Sequence, residues 1–273
     1  MLCLVPTPIG NLEDISQRSL KVLLEAELIF CEDTRVIKKL LNLLALKYSL
    51  DFSNKDFRSF HSHNENQVLQ NLDKNTFCKN VVYVSDAGMP CISDPGASLI
   101  DFCIKNDIPY DVLPGANALI TAFAMSGFQN TEFTFYGFLH HKGANRSSKL
   151  EEILTSNKLA ILYEAPHRLL KLLEELKNKD ENRIIFLAKE ISKLYQKTYK
   201  NSAKNIYELF LNIDIKGEWV VIIDKKEQIG LTLELDDIIS LDIAPKIKAK
   251  LIAKLTGNSV KVVYQELLDK IPK

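Results

Sequence analysis

The sequence predicts an α/β fold of two α/β domains followed by a small C-terminal helical extension. Three observations carry this expectation. Strand-like apolar runs alternate with helical patterns along most of the chain. Gly and Pro gather just beyond the ends of three of those runs, and the last residues turn lysine-rich and helical.

In chain order, LCLV, ELIFCE, FRSFHS, NVVYVS and IPYDVL read as strands, and QRSLKVLLEA, VIKKLLNLLA, NENQVLQNLDK and GASLIDFCIKN as helices. They form a first domain over residues 1–120. Asp94 before Pro95 fits an N-cap with Pro at the first helical position. Asn64 with Gln67 fits a capping box. A second domain spans 121–225: from EFTFYGFL onward, LAILYEA, RIIFLAKE, KLYQKTYK and EWVVIID read as strands, and RSSKLEEILTS, HRLLKLLEELKNK and SAKNIYELFLN as helices. Residues 226–273 form the helical tail. Between Lys246 and Lys273, seven Lys stand against Glu266 and Asp269, a local charge of +5. The tail's two helical patterns, joined by Thr256-Gly257-Asn258-Ser259, fit a small helix-turn-helix or a hairpin capping the second domain.

The Gly/Pro clusters are Pro6, Pro8 and Gly10; Gly88, Pro90, Pro95 and Gly96; and Pro114 with Gly115. Each follows a strand-like run, which points to a ligand surface of loops at the carboxyl edge of a sheet. Composition narrows the rest. At 273 residues and 46% hydrophobic, the chain can bury a core without disulfides. No apolar run reaches the roughly 18 residues of a membrane helix, and the opening MLCLVPTPIGN lacks the pattern of a secretory signal. The odd set Cys3, Cys31, Cys78, Cys91 and Cys103 contains no C-x-x-C and reads as reduced thiols of a cytoplasmic protein. With 35 Lys+Arg against 35 Asp+Glu, whole-surface attraction to nucleic acid is not expected, though a local patch is compatible with that balance.

Most familiar chemistry is missing. No G-x-x-x-x-G-K-[ST] and no G-x-G-x-x-G occurs. His61 and His63 with Glu65 lack a further nearby ligand and read as polar residues at a strand end, so no metal site is expected. His140-His141, beside Lys142 and Arg146, suit either a phosphate or a solvated turn. Ser85, Ser93 and Ser98 lack a nucleophile elbow. SDAGMPCISDPG holds two Asp, two Gly and two Pro in twelve residues. On its residues alone it suits an elaborate structural loop as well as one that brings backbone close to a ligand.

VPTPIGNLEDIS, CEDTR, SDAGMPCISDPG, PGANALITAFAMSGF, FYGFL, YEAPHR and KGEWVVI, in this order across nearly the whole chain, resemble the ribosomal RNA small subunit methyltransferase I family. That family is a branch of the tetrapyrrole-methylase-like (class III) methyltransferases. The resemblance implies methyl transfer from S-adenosyl-L-methionine (SAM) to the ribose 2′-oxygen of a cytidine in the decoding region of small-subunit (16S) rRNA. It also implies SAM in a cleft between two α/β domains, a cytoplasmic homodimer, and small-subunit rRNA or the assembled small subunit as partner. Met89, Cys91 and Ala165 depart from the family pattern. So does Lys189, where Arg is usual and where Lys offers no bidentate fork.

By the same resemblance, Pro8, Gly10, Asp86, Ala87, Gly88, Ile92, Asn117, Ala118, Tyr163, Glu164, Ala165, Glu218 and Trp219 bind the cofactor. A ribose hydroxyl is a weak nucleophile and gains from a base. Glu190, Glu164 and Asp33 are candidates, as is Glu32, with Lys193 or Lys189 steadying the alkoxide. Arg35, Lys142, Arg146, Arg168 and Lys193 would face RNA phosphates. Two other readings compete: a SAM-dependent methylase of a tetrapyrrole or protein acceptor, and a noncatalytic RNA-binding protein acting through the tail.

Overall fold

The computed structural model describes residues 1–129, 131–226 and 235–269. The chain divides into two compact units, 1–226 and 227–273.

The first unit opens with a parallel sheet. Its elements are β1 (Leu2–Leu4), α1 (Gln17–Glu25), β2 (Leu28–Cys31), α2 (Thr34–Tyr48), β3 (Asp56–Ser59), α3 (Glu65–Gln70), β4 (Val81–Val84), α4 (Ala97–Lys105) and β5 (Tyr110–Val112), with strand order β3-β2-β4-β1-β5. Every pairing is parallel. Helices cover both faces of such a sheet, so its inner strands are apolar on both sides. Leu2, Leu4, Phe30 and Tyr83 enter one core with Leu99 of α4, while Cys3, Ile29, Val82 and Val84 enter another with Leu41 of α2. Because the strands run one way, the segments after β1, β4 and β5 all emerge at one edge, and the three Gly/Pro clusters lie there together.

The second sheet comprises β6 (Phe133–Phe138), β7 (Leu159–Glu164), β8 (Ile184–Lys189), β9 (Lys197–Ser202) and β10 (Trp219–Ile223), in the order β6-β7-β10-β8-β9. Only β6 and β7 pair in parallel; the other pairs are antiparallel. With them come α5 (Ala118–Ser126), α6 (Ala144–Thr155), α7 (Pro166–Lys179) and α8 (Ala203–Phe210). The expected 120/121 boundary falls inside α5, whose Leu119 and Ala122 pack with Ile161, Ala188 and Val220 of the second sheet. Helix α5 has no polar face, so the sequence shows no helical period there.

Three further expectations need correction. Asp94 is not the N-cap of α4: the helix starts at Ala97, with Gly96 as its cap and no capping side chain. Asn64 does occupy the cap of α3, but its side chain serves the preceding turn, accepting from the His61 N–H and donating to the Ser59 carbonyl. KLYQKTYK is extended only from Lys197, because Glu190 and Ser192, both at positive φ, turn the chain before it.

The second unit contains α9 (Leu235–Ser240), α10 (Pro245–Thr256) and α11 (Val260–Asp269). Its core is Ile238, Ala249, Ile252, Ala253 and Val263. Gly257, in the left-handed region, ends α10 where the Thr-Gly-Asn-Ser turn is expected. Lys270 to Lys273 and residues 227–234 of the tail lie outside the described residues. Among the described residues, no helix is long and apolar enough to cross a membrane.

Candidate active site

A cavity of about 390 Å³ opens in the first unit where the edges of the two sheets meet. From the first sheet it takes Ile9 after β1, Ala87 to Met89 and Ile92 to Asp94 after β4, and Asn117 and Ala118 at the start of α5. From the second it takes Phe138, Tyr163 to Pro166, Ile191, and Gly217 to Val220. Its volume lies within the ordinary range of small-molecule sites, roughly 300–1,000 Å³, and its wall combines apolar groups with a few polar ones.

The loops are held by main-chain bonds. Thr7 and Gly88 form a two-way bridge, each N–H donating to the other's carbonyl at 3.0 Å, and the Gly88 N–H also reaches Thr7 Oγ1 at 3.1 Å. Gly88 sits at φ +84°, and a Cβ there would lie 3.0 Å from Ile9 Cγ2. Only glycine takes that conformation freely, and without a side chain the backbone itself forms the wall. Asn117 caps α5 by accepting the Ile120 N–H, which brings the start of that helix to the cavity. Phe138 and Tyr163 meet edge to face at 5.6 Å, and Phe138 is 57% exposed. This aromatic pair stands at the edge of β6 and β7.

Ten of the thirteen residues expected at a cofactor line this cavity: Ala87, Gly88, Ile92, Asn117, Ala118, Tyr163, Glu164, Ala165, Glu218 and Trp219. Pro8, Gly10 and Asp86 do not. Gly10 is a packing site: a Cβ there would come within 2.3 Å of Lys193 Cγ, so its role is close approach to the 191–193 turn. Asp86 faces Asp33, whose N–H it accepts at 3.1 Å. Sequence reasoning missed Ile9, Met89, Ser93, Asp94, Phe138, Pro166, Ile191, Gly217 and Val220. Asp94 carried a signal, as the second Asp of SDAGMPCISDPG, but it also fitted a helix cap.

Three expected catalytic carboxylates are committed elsewhere. Asp33 caps α2 and binds the Arg35 guanidinium, which holds its carboxyl down at about 2. Burial pushes Glu190 up, but the Glu218 N–H and Lys193 outweigh it and leave the group below its ordinary value. Lys193 in turn spans Glu190 and Glu218, 3.0 Å from each. Glu164 has no exposed side-chain surface; its Oε1 lies 3.1 Å from Arg168 Nε, and its Oε2 lies 3.8 Å from Arg146 Nη1.

That network corrects a second group. Arg146 cannot face RNA as placed here. It is 3% exposed, its guanidinium bonds Glu175 at 2.7 Å and the His140 carbonyl at 3.1 Å, and it lies inside the second sheet's helical layer. Arg168 is mostly covered and donates to the Leu139 carbonyl. Arg35 and Lys142 are exposed. His61 and His63 lie in the turn after β3 rather than on a strand, and the His63 N–H donates to His61 Nδ1. Among the described residues, no three His, Cys, Asp or Glu side chains group to hold a metal ion. Lys189 turns onto the Trp219 ring, 5.6 Å from its centre.

Comparison with known proteins places this architecture. The family model of Tetrapyrrole (Corrin/Porphyrin) Methylases matches residues 1–207, and the chain belongs to that family. Within it, the chain is 46% identical to the protein of Campylobacter fetus called Ribosomal RNA small subunit methyltransferase I, over 98% of this chain and 100% of that one. It is 44% identical to the Helicobacter pylori protein of the same name, over 98% and 99%. Among solved structures, uroporphyrin-III C-methyltransferase of Thermus thermophilus complexed with S-adenosyl homocysteine superposes with TM-score 0.54 at 13% identity, covering 81% of this chain and 96% of that one. A diphthine synthase gives TM-score 0.59 at 12% identity, over 82% and 89%. At such identities these two structures speak for the fold.

Proposed function

We propose that the protein transfers a methyl group from SAM to the ribose 2′-oxygen of a cytidine in the decoding region of small-subunit rRNA. The observation that carries this reading is the cavity itself, at the meeting edges of the two sheets, in a chain 46% identical end to end to a named rRNA methyltransferase. The residues present suit the cofactor. Ile9, Ile92, Ala118, Ile191 and Val220 offer apolar wall for an adenosyl group, and Phe138 and Tyr163 offer ring faces. The carboxylate of Glu218 suits a cationic sulfonium, and the bare backbone at Gly88 permits close approach. When bound, SAM supplies an electrophilic methyl group.

The protein's own part is then to align acceptor oxygen, methyl carbon and sulfur. Such positioning is worth about 7–11 kcal/mol where the bound geometry is close to attack. The tied loops suit it, since the Thr7–Gly88 bridge fixes one wall and the Glu190–Lys193–Glu218 network fixes the other. RNA phosphates fall to exposed cations, Arg35 and Lys142 on the first unit and Lys246, Lys250 and Lys254 of α10 on the second. The same reading makes the protein a cytoplasmic homodimer acting on free rRNA or on the small subunit.

Gly88→Val tests the cavity directly. It adds a branched Cβ at positive φ against Ile9, and calorimetry is expected to show at least a tenfold loss of affinity for S-adenosylhomocysteine with the circular dichroism unchanged. Unaltered affinity in a folded Gly88→Val protein would place the cofactor elsewhere. No binding of either SAM or its product by the parent protein would favour a noncatalytic RNA binder.

A further inference from the structure

Behind one wall of the cavity lies a cluster of side chains that the cofactor reading does not use. Asp94 lines the cavity. Its carboxylate shares its surroundings with Glu32, just after β2, and Asp86, after β4, near the buried Ser85, whose hydroxyl donates to the Ala87 and Gly88 carbonyls. Beneath them Tyr83 is 0% exposed, and its hydroxyl has no hydrogen-bond partner among the described residues. Glu32 Oε1 is buried and likewise lacks one. An orphaned buried hydroxyl and an orphaned carboxylate oxygen are costly to keep, and native proteins keep them mainly where they serve a function. Of the other candidate carboxylates, Asp33, Glu164 and Glu190 each meet a cation, although Glu164 Oε2 also lacks a hydrogen-bond partner.

We propose that Asp94 is the catalytic base of methyl transfer and that Glu32, with Tyr83 behind it, is its positioning residue. The inference rests on the methyltransferase reading above. As the new carbon–oxygen bond forms from a lone pair of the acceptor hydroxyl, that hydroxyl's O–H bond breaks and its proton passes to the Asp94 carboxylate. The methyl carbon's bond to sulfur breaks with its electron pair left on sulfur, which becomes a neutral thioether. No further reactant is needed.

The electrostatics suit a base. Burial, with repulsion from Asp86, pushes Asp94 above its ordinary value in spite of the nearby Ser85 hydroxyl. Burial first, then Asp94 and Asp86, pushes Glu32 up to about 7. Burial also raises Asp86, Tyr83, Cys31, Cys91 and Tyr163 around the cluster, while Asp33, whose N–H donates to Asp86, is held down by Arg35. As pH falls Glu32 takes its proton before Asp94, so only above about pH 7 does a second negative charge strengthen Asp94 as a base. A base with its affinity for protons raised toward working pH is the more effective one.

The sign follows. These groups bind protons more tightly folded than unfolded, so their contribution to stability is complete below about pH 4.5 and is lost as pH rises through about 7 at Glu32. Glu32→Gln removes that loss and is expected to melt higher than the parent at pH 8, with the difference vanishing by pH 4.5. It is also expected to lower the rate at pH 8, where the parent's Glu32 is ionised beside Asp94, and to leave the rate below pH 6 unchanged. Asp94→Asn is expected to lower single-turnover methyl transfer to small subunits from a strain lacking this enzyme by at least a hundredfold, with affinity for S-adenosylhomocysteine kept within threefold.

An Asp94→Asn protein that transfers methyl within threefold of the parent overturns the proposal and leaves the methyltransferase reading intact. A loss of rate matched by an equal loss of product affinity overturns it too, making Asp94 a cofactor ligand. Should Asp94→Asn fail to fold, a rate at pH 8 unchanged in Glu32→Gln is the contradicting result. Absence of any transfer by the parent protein contradicts the methyltransferase reading instead.

Discussion

At the scale of single residues, what a charge does here is set by its partners more than by its type. Arg146 and Arg168 are among only six arginines, and each offers the planar fork that suits phosphate. Arg146 instead spends its fork on Glu175 and Glu164, 29 and 18 residues further along the chain. No local pattern announces a pairing at that separation, so its burial was not legible in the sequence. The glycines were legible, because their clustering after strands has a local cause. The buried pair gives a prediction. Removing one partner strands a charge in the interior, which costs about 3 kcal/mol or more. Glu164→Gln is therefore expected to lower the urea midpoint by roughly that free energy at unchanged slope, with Arg146 still paired to Glu175; a shift under about 1 kcal/mol would show the network to be solvated.

At the scale of elements, the strands of both sheets were legible where apolar runs were bounded by turn residues, as at Val81–Val84 and Trp219–Ile223. Helix α5 was not, since its apolar residues surround the axis. Nor was the cap of α4, where Asp94 fits the local rule but tertiary packing draws it toward the cavity. Helix α10 shows what spacing does reveal. Lys246, Lys250 and Lys254 recur every four residues and are all exposed, in a stripe beside that of the buried Ala249, Ile252 and Ala253. Cations so arrayed gain RNA affinity by releasing counterions. Replacing all three by Gln is expected to flatten the salt dependence of RNA binding by about 2 in log–log slope, leaving affinity for S-adenosylhomocysteine unchanged. An unaltered slope would remove α10 from the RNA interface.

At the scale of the whole molecule, the charge balance is local rather than global. Seven Lys in residues 227–273 are matched by seven Asp and Glu, so the second unit is neutral overall; the +5 belongs to its last 28 residues, while α9 carries Asp236 and Asp237. The two sheets contribute unequally to the cavity's chemistry. The parallel sheet supplies backbone and the Asp94 cluster, and the mixed sheet supplies rings and ion pairs. That division was visible in outline, because the motifs fall at strand ends in both halves. Which residues face inward was not, since it depends on turns at Glu190, Ser192 and Cys91 where non-glycine residues hold positive φ.

The central claim is that this chain methylates a cytidine ribose in small-subunit rRNA. Mass mapping of nuclease fragments from small-subunit rRNA tests it most directly, comparing a strain deleted for the gene with one carrying it, and with deleted-strain subunits treated with the purified protein and SAM. The account predicts one decoding-region fragment lighter by a single methyl group in the deletion strain, the methyl lying on the ribose of a cytidine, and restored by the purified protein. Identical fragments from the two strains, or a restored methyl group on a base rather than on a ribose, would contradict it.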